Sequence, residues 1–293
     1  MGESVKRGIT ATLSPAPDQI EVRLFGPGYG ECAAVHLGEN QWIIIDSCID
    51  IKTWNPPVLD YFKAIANRTV LKLPQKGVAE SCIVTTLSPS DKEYNNFLQQ
   101  IGTLIPSSKK IKKRAFPLKP NDTAVAVWIE TGDVKILLGS DLEEKGDSES
   151  GWSAIVQSSE RPQGRASIFK IPHHGSSTGH HDNVWSDMMI NSPIALLSPF
   201  CLAGKVLPTD KDVGRINSLT PKSYITTKHQ PSKSHTRRHP AVERTIRERV
   251  GKIRMVQPTM GWISLRNGGK SNPNLWTVDL SDSGCHLNDF QHE

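Results

Sequence analysis

Residues 134–179 constrain this chain more than any other stretch. Two apolar runs, 136–138 and 168–171, have the length and composition of buried strands. Each runs into side chains with ligand chemistry. Asp141 follows the first in Leu138-Gly-Ser-Asp-Leu, and His173 with His174 follows the second in Lys170-Ile-Pro-His-His-Gly. Carboxylate oxygen and imidazole nitrogen together suit zinc, manganese or iron. Strand ends are also where a sheet presents side chains to a cleft. The plainer local alternative makes Asp141 a helix cap and the histidine pair part of a turn.

A Leu-Leu-Gly-x-Asp-Leu strand followed by Lys-x-Pro-His-His-Gly-Ser resembles the second half of a metallo-β-lactamase-fold domain. Within that superfamily it is most similar to the branch found in DNA-uptake competence proteins and related bacterial hydrolases. The resemblance covers roughly residues 20–280 and is strongest over 121–220. It implies an α/β fold, the αββα sandwich of that superfamily, with a shortened N-terminal half. It also implies metal-assisted hydrolysis, in which the family's Asp bridges two metals and its His ligates the second. Carried over, the metal ligands are Asp141 and, between the two histidines, His173 ahead of His174. His180 and His181 are possible additional ligands, although with Asp182 they also suit a polar loop ahead of a helix at 184–189.

The N-terminal half fits less well. Residues 20–25 alternate as a strand, Gly26-Pro-Gly-Tyr-Gly turns the chain, and 31–37 with 42–46 form a hairpin across Gly38-Glu-Asn. The glycines do not make a dinucleotide loop, because a strand and not a helix follows them. By the resemblance Asp46 is a structural hydrogen-bonding residue near the site. A short helix is expected over 56–65, with proline at its start. The family's His-x-His-x-Asp-His motif should follow, yet no histidine occurs between His36 and His173.

Two explanations remain open. Leu87-Ser-Pro-Ser-Asp-Lys is a decayed copy that keeps Asp91 in register, or the motif is deleted near residues 66–69. The second is preferred, because Ser90 and Glu93 read as a capping box that accounts for the local chemistry. Either way three first-site imidazoles are gone. A zinc site normally takes three protein ligands plus water, so zinc or another divalent metal is expected at weak or partial occupancy.

Beyond the central stretch, 121–130 reads as a strand turning at Thr131-Gly-Asp, and 151–157 as a short helix. Further strands are expected at 194–198 and 224–227, and residues 207–216 between them resemble the helix that follows this strand in the family. A basic loop at 228–239 carries His229, His235 and His239, and an amphipathic helix at 240–250 turns Arg244, Arg247 and Arg249 outward. Strands at 261–265 and 275–280 pair as a closing hairpin. Residues 1–18 show little periodicity and read as a flexible arm, leaving 19–285 as the domain.

With 37% hydrophobic and 22% charged residues, the chain has ordinary globular composition. No apolar run approaches the ~20 residues that span a bilayer. The five cysteines are scattered without Cys-x-x-Cys, which with the N-terminal sequence points to the cytoplasm and to no membrane partner. Net charge is only +5, but Lys109-Lys-Ile-Lys-Lys-Arg packs five positive charges into six residues. That run is either solvated surface or a phosphate-tracking patch for nucleic acid. Two functions of different class follow. One is a hydrolase of phosphodiester or other ester bonds with an incomplete metal site. The other is a degenerate, non-catalytic domain that binds a partner.

Overall fold

The computed structural model describes residues 5–7, 14–28, 30–39, 41–45, 69–70, 82–104, 119–202, 205–228, 244–245, 248–249 and 261–290. Mixed α/β structure results, built on two seven-stranded sheets and a small two-stranded one. The first sheet contains β1 (Val5–Arg7), β2 (Glu21–Gly28), β3 (Gly30–His36), β4 (Gln41–Ile45) and β5 (Thr69–Val70). It is completed by β14 (Gly261–Gly268) and β15 (Asn272–Leu280), in the order β1-β15-β14-β2-β3-β4-β5. The second sheet contains β6 (Cys82–Thr86), β7 (Val127–Thr131), β8 (Val134–Leu138), β9 (Ala166–Lys170), β10 (Met189–Leu197), β13 (Ser223–Ile225) and β16 (Cys285–His286). Its order is β16-β13-β10-β9-β8-β7-β6.

Strand alternation explains how the sheets meet. Val22 and Leu24 of β2, with Ile263 and Leu265 of β14, share one buried core with Ile129, Ile136 and Ile168 of the second sheet. The alternate residues of the second sheet, including Trp128, Leu137, Phe169 and Leu197, point the other way. Against that outer face pack Trp152 and Ile155 of helix Gly151–Gln157 and Ile216 of helix Asp210–Leu219. A third helix, Asp91–Leu104, starts after β6, and in chain order the three are α1 (Asp91–Leu104), α2 (Gly151–Gln157) and α3 (Asp210–Leu219). Thr209 opens α3 with a reciprocal capping box to Asp212, which satisfies two N-terminal N–H groups. At the start of α1 the Glu93 N–H donates to Ser90 Oγ at 3.4 Å, while the Glu93 carboxylate takes Lys145 instead of closing the box.

Several expectations shift here. The arm at 1–18 contributes β1, paired in parallel with β15, because Val5–Arg7 finds unpaired edge hydrogen bonds there. The ordered domain also runs past 285: Leu287 and Phe290 are buried against the second sheet. The strand expected over 121–130 begins only at Val127, since Pro120 starts a 3-10 turn over Pro120–Thr123. The helix expected at 184–189 is a π-helical turn, Val184–Met188, that feeds straight into β10. Asp46, the helix at 56–65, the basic run at 109–114, and His229, His235 and His239 lie outside the described residues. Of the late helix only Arg244 and Arg249 are described among its arginines, and both are exposed. No helix among the described residues is long and apolar enough to cross a membrane.

The inter-sheet core sets stability. Replacing Ile136, fully buried, by alanine is expected to cost about 2–5 kcal/mol. The same change at Ile83 on the β6 edge, 55% exposed, should stay within about 0.5 kcal/mol. Urea unfolding of the two variants checks the contrast.

Candidate functional site

Strands β8 and β9 run parallel as neighbours, with Leu138 opposite Lys170. Parallel neighbours end at the same sheet edge, so the loops that leave them emerge together. The Gly139 N–H donates to the Lys170 carbonyl at 3.0 Å, and the His173 N–H to the Ser140 carbonyl at 3.1 Å. These bonds bring Asp141 beside the histidines despite 32 intervening sequence steps to His173. His174 Nε2 lies 3.7 Å from Asp141 Oδ1.

The ring of His174 is fixed by its other nitrogen. Nδ1 lies 3.0 Å from the Ser198 carbonyl oxygen, and Phe200 stacks on the ring at 5.1 Å. A carbonyl only accepts, so Nδ1 carries the proton and Nε2 presents its lone pair toward Asp141. Burial first, and the Lys170 charge second, hold the His174 pKa down to about 3, so the ring is neutral. His173 is turned differently. Its Nδ1 faces Glu143 Oε1 at 3.2 Å and Thr178 Oγ1 at 3.0 Å, and Glu143 is steadied by Asn121 Nδ2 at 2.7 Å. Burial lowers the His173 pKa, and the Glu143 carboxylate opposes that shift.

Ligating histidines commonly donate their second ring N–H to a carbonyl or carboxylate, as His174 does to the Ser198 carbonyl. Asp141 is therefore paired by geometry with His174, the histidine ranked second in the sequence. His180 gives Nε2 to Asp182 at 2.8 Å, and His181 Nδ1 accepts the Asn183 N–H at 3.1 Å. Both contacts belong to the turn entering Val184–Met188.

As a test of fit for a metal, a 3.7 Å separation lets both Asp141 and His174 atoms lie within the ~2.1 Å bonding distance of one ion. Among the described residues no three His, Cys, Asp or Glu side chains converge as a metal-binding group. Among the described residues the pair supplies two of the three protein ligands that a zinc site normally takes.

Backbone strain gathers at the same place. Ser140, His173 and His174 have φ of 48°, 46° and 53°. Left-handed conformations at non-glycine residues cost of order 1–3 kcal/mol each and cluster where side-chain aim matters.

Sequence patterning did not find the polar floor beside this pair. Lys170, its side chain 5% exposed, forms an ion pair with Glu31 of β3, reaching across from the opposite sheet. Its ammonium also donates to the Ser140 carbonyl at 2.9 Å. Ser198 Oγ donates to Glu31 Oε2 at 2.5 Å, completing a link from Glu31 to the residue that orients His174. Burial pushes Lys170 down to about 7. The sheets approach closely here because Gly26 carries no side chain: a Cβ on it would sit 2.7 Å from Ser198 Cβ. The Glu31–Lys170 pair and Ser140 line a cleft with about 350 Å³ of empty space, part of it open solvent. Leu24, Ala33, Ile45, Val125 and Leu138 form its apolar walls. The only signal in sequence was a lysine inside an apolar strand, with no indication of its partner.

No family model, curated protein sequence or solved structure matches this chain.

Two outcomes follow. The folded pKa of His174 lies below the ordinary value of 6.5, so the unfolded chain takes up the extra proton first. Stability contributed by the neutral ring is present above about pH 6.5 and is lost as pH falls toward 3. Thermal melts across this window should show a falling Tm, with a shallower slope in His174→Gln. At Gly151, φ is +59° and a Cβ would collide with the Glu143 carbonyl. Gly151→Ala should therefore lose about 1–3 kcal/mol. Gly146→Ala, whose positive φ faces open space, should lose only about 1 kcal/mol. Urea unfolding of both separates collision from backbone strain.

Proposed function

We propose that this chain is a metallo-β-lactamase-type sandwich that holds one divalent cation weakly and acts on phosphodiester or other ester bonds. The observation that carries this is the His174 lone pair, its tautomer set by the Ser198 carbonyl, facing Asp141 at 3.7 Å across adjacent strand ends. Two electron-pair donors 3.7 Å apart favour a cation between them. Asp141 and His174 would hold it. When bound, such an ion lowers the pKa of its water and polarises the substrate oxygen. Lys205, exposed on the short hairpin strand Lys205–Leu207, acts electrostatically on both histidines and offers its charge to a phosphate oxygen. Thr178 and Glu143 keep the His173 ring oriented beside the site.

A second reading, a non-catalytic partner-binding domain, is favoured by one feature. Among the described residues β6 is the last strand of its sheet, and Ile83 and Val84 on it are exposed, as are Tyr94 and Leu98 on α1. Sheet edges of this kind accept a strand from another chain.

Calorimetric titration with zinc, beside hydrolysis of bis(p-nitrophenyl) phosphate, separates the two. The hydrolase reading expects micromolar or weaker zinc binding, lost in His174→Ala and kept in His173→Ala, with turnover that tracks added metal. Absence of both binding and turnover would leave the partner-binding reading. Tight binding that survives His174→Ala would place the site elsewhere.

A further inference from the structure

The Lys170 amine has an environment that metal binding at Asp141 and His174 does not use. It lines the cleft between the sheets, is held at its tip by the Ser140 carbonyl and Glu31, and is walled by Leu24, Ala33 and Leu138. A salt bridge so enclosed loses much of its Coulombic gain to desolvation. Moving the proton from nitrogen to the Glu31 carboxylate leaves a neutral pair, which the apolar walls tolerate better. Buried lysines in apolar pockets become nucleophilic amines for this reason.

We propose that Lys170 is a reactive amine that condenses with small aliphatic aldehydes admitted by the inter-sheet cleft. The neutral Nζ attacks the carbonyl carbon, forming the N–C bond as the C=O π pair moves to oxygen. Glu31, which has taken the ammonium proton, returns it to that oxygen, and the nitrogen loses its second proton to Glu31. The resulting hydroxyl leaves as water with that proton while the nitrogen lone pair closes the C=N bond. Amine and aldehyde give water and a protonated imine, with Glu31 left as its carboxylate counter-ion and no change of oxidation state. The apolar walls favour a short alkyl chain. The lowered Lys170 pKa, near 7, supplies neutral amine at neutral pH, where only about one ordinary lysine in 2,500 is unprotonated.

The test is reductive trapping of the full chain with butyraldehyde and cyanoborohydride at pH 7, followed by peptide mapping. EDTA is present throughout, so the result does not depend on a metal at Asp141 and His174. The Lys170 peptide is expected to be alkylated at least tenfold faster than the median lysine peptide. Between pH 7 and pH 9 its rate should stay nearly flat, while exposed lysines gain about tenfold per pH unit. Lys170→Met should erase the fast phase in intact-mass spectra. Lys170 labelling no faster than the surface lysines overturns the proposal, as does a fast phase that persists in Lys170→Met. The first comparison uses only the unaltered chain, so it stands even if the variant fails to fold.

Discussion

The parallel registration of β8 against β9 is the constraint from which the site follows. With Leu138 opposite Lys170, the two strands end together and their loops must share one edge. The Ser140 carbonyl then accepts both the His173 N–H and the Lys170 ammonium, tying the two loops at a single atom. Slip that pairing by one residue and every side chain of β9 would change face. Ile168 would leave the inter-sheet core, and Lys170 would turn away from Glu31. Register, set by the apolar alternation, therefore decides the chemistry at the strand ends.

The Glu31–Lys170 pair joins the sheets at the site end, where an apolar contact would serve cohesion as well or better. Its value lies in what it holds. Glu31 takes the Ser198 hydroxyl, the Ser198 carbonyl takes His174 Nδ1, and Phe200 closes over the ring. A carboxyl group from the first sheet thus helps orient an imidazole on the second. Gly26 permits this by letting the sheets come close at that end.

Much of the second half was legible in sequence. The apolar runs around Ile136 and Ile168 became adjacent strands, α2 fell on the expected residues, and Asp141 met the histidine pair. Periodicity and strand-end placement are local signals, and they carried. The choice between His173 and His174 was not legible, because it depends on backbone φ and on Ser198, Glu143 and Thr178, which no spacing rule connects. Glu31 and Lys170 were missed for a related reason: each sits in a well-formed strand, and only cross-sheet packing makes them partners. The edge strand β1 was hidden because three residues carry too little periodicity to register.

The left-handed backbone at Ser140, His173 and His174 bears on how such a site can drift. Glycine adopts this conformation freely, asparagine and aspartate readily, and β-branched residues hardly at all. Neutral change at these three positions is thereby channelled toward a small set of residues, whether or not the imidazoles are still used. Valine, isoleucine or threonine at position 174 would have to remake the turn itself. A descendant that had lost both imidazoles would therefore still carry the shape of this turn in its choice of amino acids.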